Sequence, residues 1–129
     1  MRIGEVAERA GVSVRSLRYY EEQGLLTSSR SPSGQRHFAE DAVERVQLLQ
    51  RLYVAGLSSR TIAELLPCVD SPSDANSDAA FERMIQERDR LSVHIDELLH
   101  ARDTLDRVIA ANRDHRREMA RAGAGAVPA

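Results

Sequence analysis

The 129-residue chain contains no lysine: every one of its 18 basic residues is arginine. Arginine supplies planar, bidentate, permanently charged donors suited to phosphate and guanine edges. The same composition follows from codon usage in a GC-rich genome, and arginines running along the whole chain fit that second reading. Cysteine is nearly as scarce. The lone Cys68 excludes an internal disulfide framework, a cysteine-only zinc site and a four-cysteine iron–sulfur site within one chain, leaving open a disulfide between two copies. No apolar run approaches the roughly 18 residues that crossing a bilayer requires. Met1-Arg2-Ile3-Gly4-Glu5 lacks the hydrophobic stretch of a secretory signal, so the expected compartment is the cytoplasm, with no membrane partner. A Gly-rich phosphate loop, a Gly-x-Ser-x-Gly elbow and a His-Glu-x-x-His motif are all missing, and the carboxylates fall on helix faces opposite arginines. No enzymatic activity is expected.

What remains is a globular composition, 42% apolar and 29% charged, in a length suited to one small domain plus an appendage. The net charge of −2 means that contact with a polyanion needs a local concentration of positive charge. Residues 3–66 alternate short amphipathic segments with Gly and Ser, whereas residues 78–121 carry one uninterrupted helical pattern. Between them lies a stretch rich in Pro, Ser, Asp and Asn. The implied division is a domain over residues 1–70, a linker over 71–77, a long helix over 78–122 and a disordered tail over 123–129.

Ile3, Val6, Ala7 and Ala10 give the first helix an apolar face that Gly11 closes. Ser13 caps a second helix over residues 14–23, whose inner face is Val14, Leu17 and Tyr20 or Glu21, and Gly24 stops it. Two helices joined by Gly11-Val12-Ser13 make a helix-turn-helix, which holds its second helix out for the major groove. That helix carries Ser13, Arg15, Ser16, Arg18, Tyr19 and Tyr20 with no acid before Glu21. The segment over 25–38, also free of acids, holds Arg30, Gln35, Arg36 and His37. Its turn signal Ser31-Pro32-Ser33-Gly34 separates strand-capable pieces over 25–28 and 35–38, a hairpin wing able to lay arginine along phosphate or into the minor groove. A third helix buries Val43, Val46, Leu49, Leu52 and Tyr53. A fourth, capped by Ser58, turns Ile62, Leu65 and Leu66 inward and ends at Pro67. Arg60 opposes the dipole preference in its first turn and reads as a phosphate ligand aided by the free N–H groups there.

The runs Arg2-Ile3-Gly4-Glu5-Val6-Ala7, Gly11-Val12-Ser13-Val14-Arg15-Ser16-Leu17-Arg18-Tyr19-Tyr20-Glu21-Glu22-Gln23-Gly24-Leu25-Leu26, Ser33-Gly34-Gln35-Arg36 and Leu52-Tyr53-Val54-Ala55-Gly56-Leu57-Ser58 resemble the MerR family of bacterial transcription regulators over about the first 70 residues. The resemblance implies a mainly α fold: a winged helix-turn-helix DNA-binding domain followed by a long helix that forms an antiparallel coiled coil with a second subunit. It also implies a homodimer on a pseudo-palindromic promoter spacer of double-stranded DNA, bent and untwisted so that RNA polymerase meets promoter elements in phase, in a bacterial cytoplasm. The family usually has Tyr where this chain has Gln35, so an amide replaces an aromatic phosphate contact in the wing.

The long helix supports a dimer on its own pattern. Steps of four and three residues connect Met84, Arg88, Leu91, Ile95, Leu98, Arg102, Leu105, Ile109 and Asn112, with Arg88, Arg102 and Asn112 interrupting the seam to set register. A helix of some 40 residues extends about 60 Å, beyond what the first domain covers, and a second copy is the economical partner. No cofactor or metal site is expected. His94 and His100 lie six apart on different helix faces, and His115 lies more than two heptads beyond His100, whereas facing ligands need steps of three or four. The family's metal loops, iron–sulfur clusters and drug-binding domains have no counterpart here, since eight residues follow Arg121. Two rivals stand beside the regulator. One is a coiled-coil adaptor whose arginines serve as salt-bridge partners. The other is the same regulator switched by redox or electrophile chemistry at Cys68, between the fourth helix and the linker.

Overall fold

The computed structural model describes residues 1–72 and 77–125. They form α1 (Ile3–Ala10), α2 (Val14–Glu22), β1 (Ser29–Arg30), β2 (Arg36–His37), α3 (Ala42–Val54), α4 (Ser59–Asp70) and α5 (Asp78–Gly125). Two compact units divide the chain, Met1–Glu87 and Arg88–Ala129. The division therefore falls inside α5, and the first unit takes in the opening turns of that helix beyond the domain limit read from composition. No described helix is long and apolar enough to cross a membrane.

In the first unit α1 packs on α2 and α3, and α3 on α4. Val6, Leu17, Leu25, Val46, Leu49 and Ile62 are fully buried at the centre, with Phe38 sealing the wing side. The helix ends follow one local rule. After α2 the Leu25 N–H reaches back to the Tyr20 carbonyl at 2.9 Å and the Gly24 N–H to that of Glu21 at 3.0 Å. This six-to-one closure requires the left-handed conformation that Gly24 adopts at φ 73°. It carries Leu25 back into the core. The same closure follows α1, where the Val12 N–H meets the Ala7 carbonyl at 3.0 Å, and α3, where Leu57 meets Leu52 at 3.2 Å. At the N-termini, Ser13 and Ser58 accept hydrogen bonds from the amides of Ser16 and Thr61, both at 3.1 Å.

Three sequence expectations shift. The first strand is Ser29–Arg30 rather than 25–28, because Leu25 and Leu26 are used as the apolar closure of α2 and are buried. The second is confined to Arg36–His37, within the expected 35–38, and pairs antiparallel with Ser29 opposite His37 and Arg30 opposite Arg36. The fourth helix passes through Pro67 to Asp70. Proline in a helix interior costs about 3 kcal/mol; Pro67 and Ala63, the residue whose carbonyl loses its donor, are both exposed. Continuation buries Cys68 and brings Asp70 within 2.9 Å of Arg45 Nη2. Cys68 thus lies inside a helix, not at a hinge.

In the second unit α5 continues to Gly125, so the helix overruns the limit at 122 and takes in Gly123, which the composition assigned to the tail. Residues 126–129 of that tail and 73–76 of the linker lie outside the described residues. Met84, at the head of the heptad seam, belongs to the first unit and packs against its core. Ile95, Leu98, Leu105 and Ile109 of the second unit are exposed, with Leu91 half-buried.

Truncating a fully buried side chain that the helices share removes its transfer free energy and leaves a cavity. Leu49→Ala is expected to lower the unfolding free energy by about 2–5 kcal/mol in urea denaturation followed by circular dichroism, and a loss below about 1 kcal/mol contradicts this core.

Candidate nucleic-acid interface

Burial of Leu17 and Tyr20 on one side of α2 leaves Arg15, Arg18 and Tyr19 on the other, exposed, with Ser16 half-buried. Ser13 and Ser16 are tied to each other at the N-terminus of α2, their hydroxyls 3.0 Å apart. Tyr20, expected among the contacting residues, is withdrawn from this face. Its ring is buried and stacks on Tyr53, with centroids 5.7 Å apart and planes 15° from parallel. Burial pushes the Tyr20 hydroxyl above its ordinary ionisation range, and the neighbouring Tyr53 adds to the rise.

The wing is held by its own side chains and by α2. Within the turn the Ser31 N–H donates to the Gln35 carbonyl at 2.7 Å and the Gly34 N–H to that of Ser31 at 2.8 Å, while Arg30 Nη1 donates to the Gly34 carbonyl at 2.9 Å. At its base the Phe38 N–H donates to the Met1 carbonyl at 2.7 Å and the Met1 amino group to the Phe38 carbonyl at 2.8 Å. Glu21 provides the link to α2. Its Oε2 accepts from Ser28 Oγ at 2.8 Å, and its Oε1, buried and without a hydrogen-bond partner, lies 3.7 Å from Arg36 Nη1. Sequence reading assigned Glu21 no role beyond the inner face. Its signal was its place as the first acid after a run of basic and hydroxyl residues.

Arg30 and Arg36 stand directly opposite in the ladder, a like-charge pairing that is unfavourable until an anion or a fixed acceptor relieves it. Between α2 and the wing runs a groove of about 370 Å³ lined by Arg2, Ile3, Arg18, Arg30, Gly34, Gln35 and Arg36. Four arginines and no acid line it. Arg2 was missed because it precedes α1 in sequence and comes to the groove only through the fold. His37 is half-buried at the edge of the sheet, and Gln35 is exposed. A second cleft, of about 650 Å³, has Asp41, Glu44 and Asp70 beside the single Arg45 and lacks that electrostatic bias.

Arg60 projects from the first turn of α4 with its side chain 92% exposed, 3.9 Å from Glu64, a contact too open to hold it. Ser59 beside it, unremarked in the sequence, receives two tyrosines: its Oγ lies 2.8 Å from the Tyr19 hydroxyl and 2.5 Å from that of Tyr53. Cys68 is buried within α4. Among the described residues no three or more His, Cys, Asp or Glu side chains gather where a metal ion would need them.

Because Tyr20 ionises above the ordinary tyrosine range in the folded chain, its phenol favours folding up to the unfolded-state value, and that contribution is lost as pH rises through the folded one. Unfolding free energies measured across that alkaline window should therefore fall with pH, and Tyr20→Phe should flatten the fall. An identical alkaline slope in the variant contradicts the buried phenol.

Comparison with known proteins bears on this surface. The family model described as MerR HTH family regulatory protein matches residues 1–67. The chain is 31% identical over 110 residues, 78% of this chain and 85% of the other, to the HTH-type transcriptional regulator HmrR of Rhizobium leguminosarum bv. viciae. It is 32% identical over 113 residues, 83% of this chain and 72% of the other, to an HTH-type transcriptional activator SoxR homolog of Chromobacterium violaceum. Among solved structures it is similar to HiNmlR, a MerR family regulator lacking the sensor domain, bound to promoter DNA, with a TM-score of 0.75 and 25% identity over 89% of this chain and 91% of that one.

Proposed function

The chain belongs to the MerR HTH family and is a DNA-binding transcriptional regulator, and we propose that it acts as a homodimer that grips a pseudo-palindromic promoter spacer and distorts it to the benefit of RNA polymerase. The observation that carries this reading is the acid-free groove between α2 and the wing, where Arg2, Arg18, Arg30 and Arg36 converge in a chain of net charge −2. Attraction for phosphate is concentrated there in a chain that is slightly acidic as a whole. α2 enters the major groove, with Arg15 and Arg18 reaching base edges or phosphates and Ser13, Ser16 and Tyr19 holding the backbone. The wing lays Arg36 on the flanking backbone or minor groove, with Gln35, His37 and Arg30 beside it. Arg60 adds a phosphate contact from the first turn of α4.

Dimerisation is proposed through Leu91, Ile95, Leu98, Leu105 and Ile109, while Met84, which the sequence places at the head of the seam, packs against the core of the first unit. Burying such side chains is worth about 1.5–3 kcal/mol each. Ile95, Leu98, Leu105 and Ile109 are about half exposed in the single chain, so in both copies the seam gains on the order of 10 kcal/mol, comparable with an association cost of about 4–15 kcal/mol. Arg88, Arg102 and Asn112 lower that gain and fix the register. A cytoplasmic location follows from DNA as the partner.

Two substitutions separate sequence readout from phosphate attraction. Arg18→Ala is expected to cost about 1–3 kcal/mol on the preferred duplex and little on others, whereas Arg60→Ala weakens all sequences alike and lowers the salt slope by about one. Fluorescence anisotropy at several salt concentrations reads both, and unchanged binding in both variants contradicts the assignment.

A further inference from the structure

The Tyr53, Ser59 and Tyr19 hydroxyls form a chain with two contacts, Tyr53 to Ser59 and Ser59 to Tyr19. Three hydroxyl groups carry three protons, and two contacts use two of them. One proton is left to point elsewhere. Were it on Tyr53 or on Ser59, with both tyrosines then donating to the serine, it would sit on a half-buried side chain with no other hydrogen-bond partner among the described residues, Tyr53 beside a ring stacked on Tyr20. Were it on Tyr19, it would point from a side chain 44% exposed on the outer face of α2. Satisfying the more buried groups first sets the direction: Tyr53 donates to Ser59, Ser59 donates to Tyr19, and Tyr19 donates outward.

We propose that Ser59 and Tyr53 are positioning residues that hold the Tyr19 hydroxyl with its proton turned outward, as a donor to a phosphate oxygen of duplex DNA. The proposal rests on the DNA-binding reading above and deepens it. A hydroxyl that accepts from one neighbour while donating to an anion is polarised along the chain, which strengthens the outward bond. The chain also joins three elements, since Tyr19 lies on α2, Tyr53 on α3 and Ser59 in the first turn of α4. The contact is neutral, so it adds affinity without displacing a counterion, and this distinguishes it from every arginine contact.

The probe is a duplex enriched from a randomised pool by the full-length wild-type chain. Tyr19→Phe should weaken binding about tenfold, the scale of a hydrogen bond to a charged acceptor, with the salt slope unchanged. Ser59→Ala and Tyr53→Phe should weaken it in the same salt-independent manner, and Ser59→Thr should restore it. In the Tyr19→Phe background, Ser59→Ala should cost nothing more. A merely structural Ser59 would weaken binding equally in both backgrounds, and that additivity, wild-type affinity for Ser59→Ala, or a reduced salt slope overturns the proposal. If Ser59→Ala fails to fold, Tyr53→Phe, which keeps the stacked ring, runs the same cycle: no added cost in the Tyr19→Phe background supports the proposal, and additivity overturns it. A wild-type chain that enriches no duplex overturns the DNA-binding reading and this proposal together. A wild-type chain that binds while the cycle is additive overturns this proposal alone.

Discussion

Burial of the inner face of α2 is the constraint on which the rest depends. Leu17 and Tyr20, three residues apart, are driven into a core made with Val6, Val46, Leu49 and Ile62. With that stripe inside, the 3.6-residue period leaves no choice about the opposite side, and Arg15, Arg18 and Tyr19 face outward. The outward face of α2, with its two arginines and a tyrosine, is therefore a by-product of packing. The closures that follow α1 and α2 set where the helix begins and ends, and each returns an apolar residue, Val12 or Leu25, toward the same core.

Placing the wing against α2 falls to a weaker force. The Glu21–Arg36 pair at 3.7 Å is partly open, and such pairs add little to stability. Its value is positional: the carboxylate is fixed by Ser28, and Arg36 is drawn toward α2 while Arg30 is turned back on the Gly34 carbonyl. The two arginines that stand opposite each other in the ladder are thus turned to separate acceptors. With Arg2 and Arg18 on the same groove, positive charge is gathered locally in a chain whose total charge is slightly negative, and DNA binding should be strongly salt-dependent.

Much of this was legible in the sequence where local chemistry decides the outcome. Gly after an amphipathic run, Ser before one, and apolar steps of three and four marked α1, α2 and α3, and the acid-free stretches marked α2 and the wing. The departures arise where tertiary contacts override local signals. Leu25 and Leu26 have strand propensity but serve to close α2; Pro67 signals a stop, yet the burial of Cys68 and the Arg45–Asp70 pair accompany α4 beyond it. Tyr20 and Tyr19 are adjacent and chemically alike, and only the helical phase assigns one to the core and the other to the surface. Arg2, Glu21 and Ser59 escaped notice because each acquires its role from a partner distant in sequence: the wing arginines, Arg36 and the two tyrosines.

The central claim is that this surface is used twice on one piece of DNA. A single domain presents a short helix and a two-residue ladder, a small footprint for sequence recognition, and the exposed Ile95, Leu98, Leu105 and Ile109 give the second unit an apolar seam with which to pair. Sedimentation equilibrium of the complex with an enriched duplex weighs this directly. Two chains per duplex, from a protein already dimeric when free, is the predicted result; one chain per duplex from a monomeric protein contradicts it.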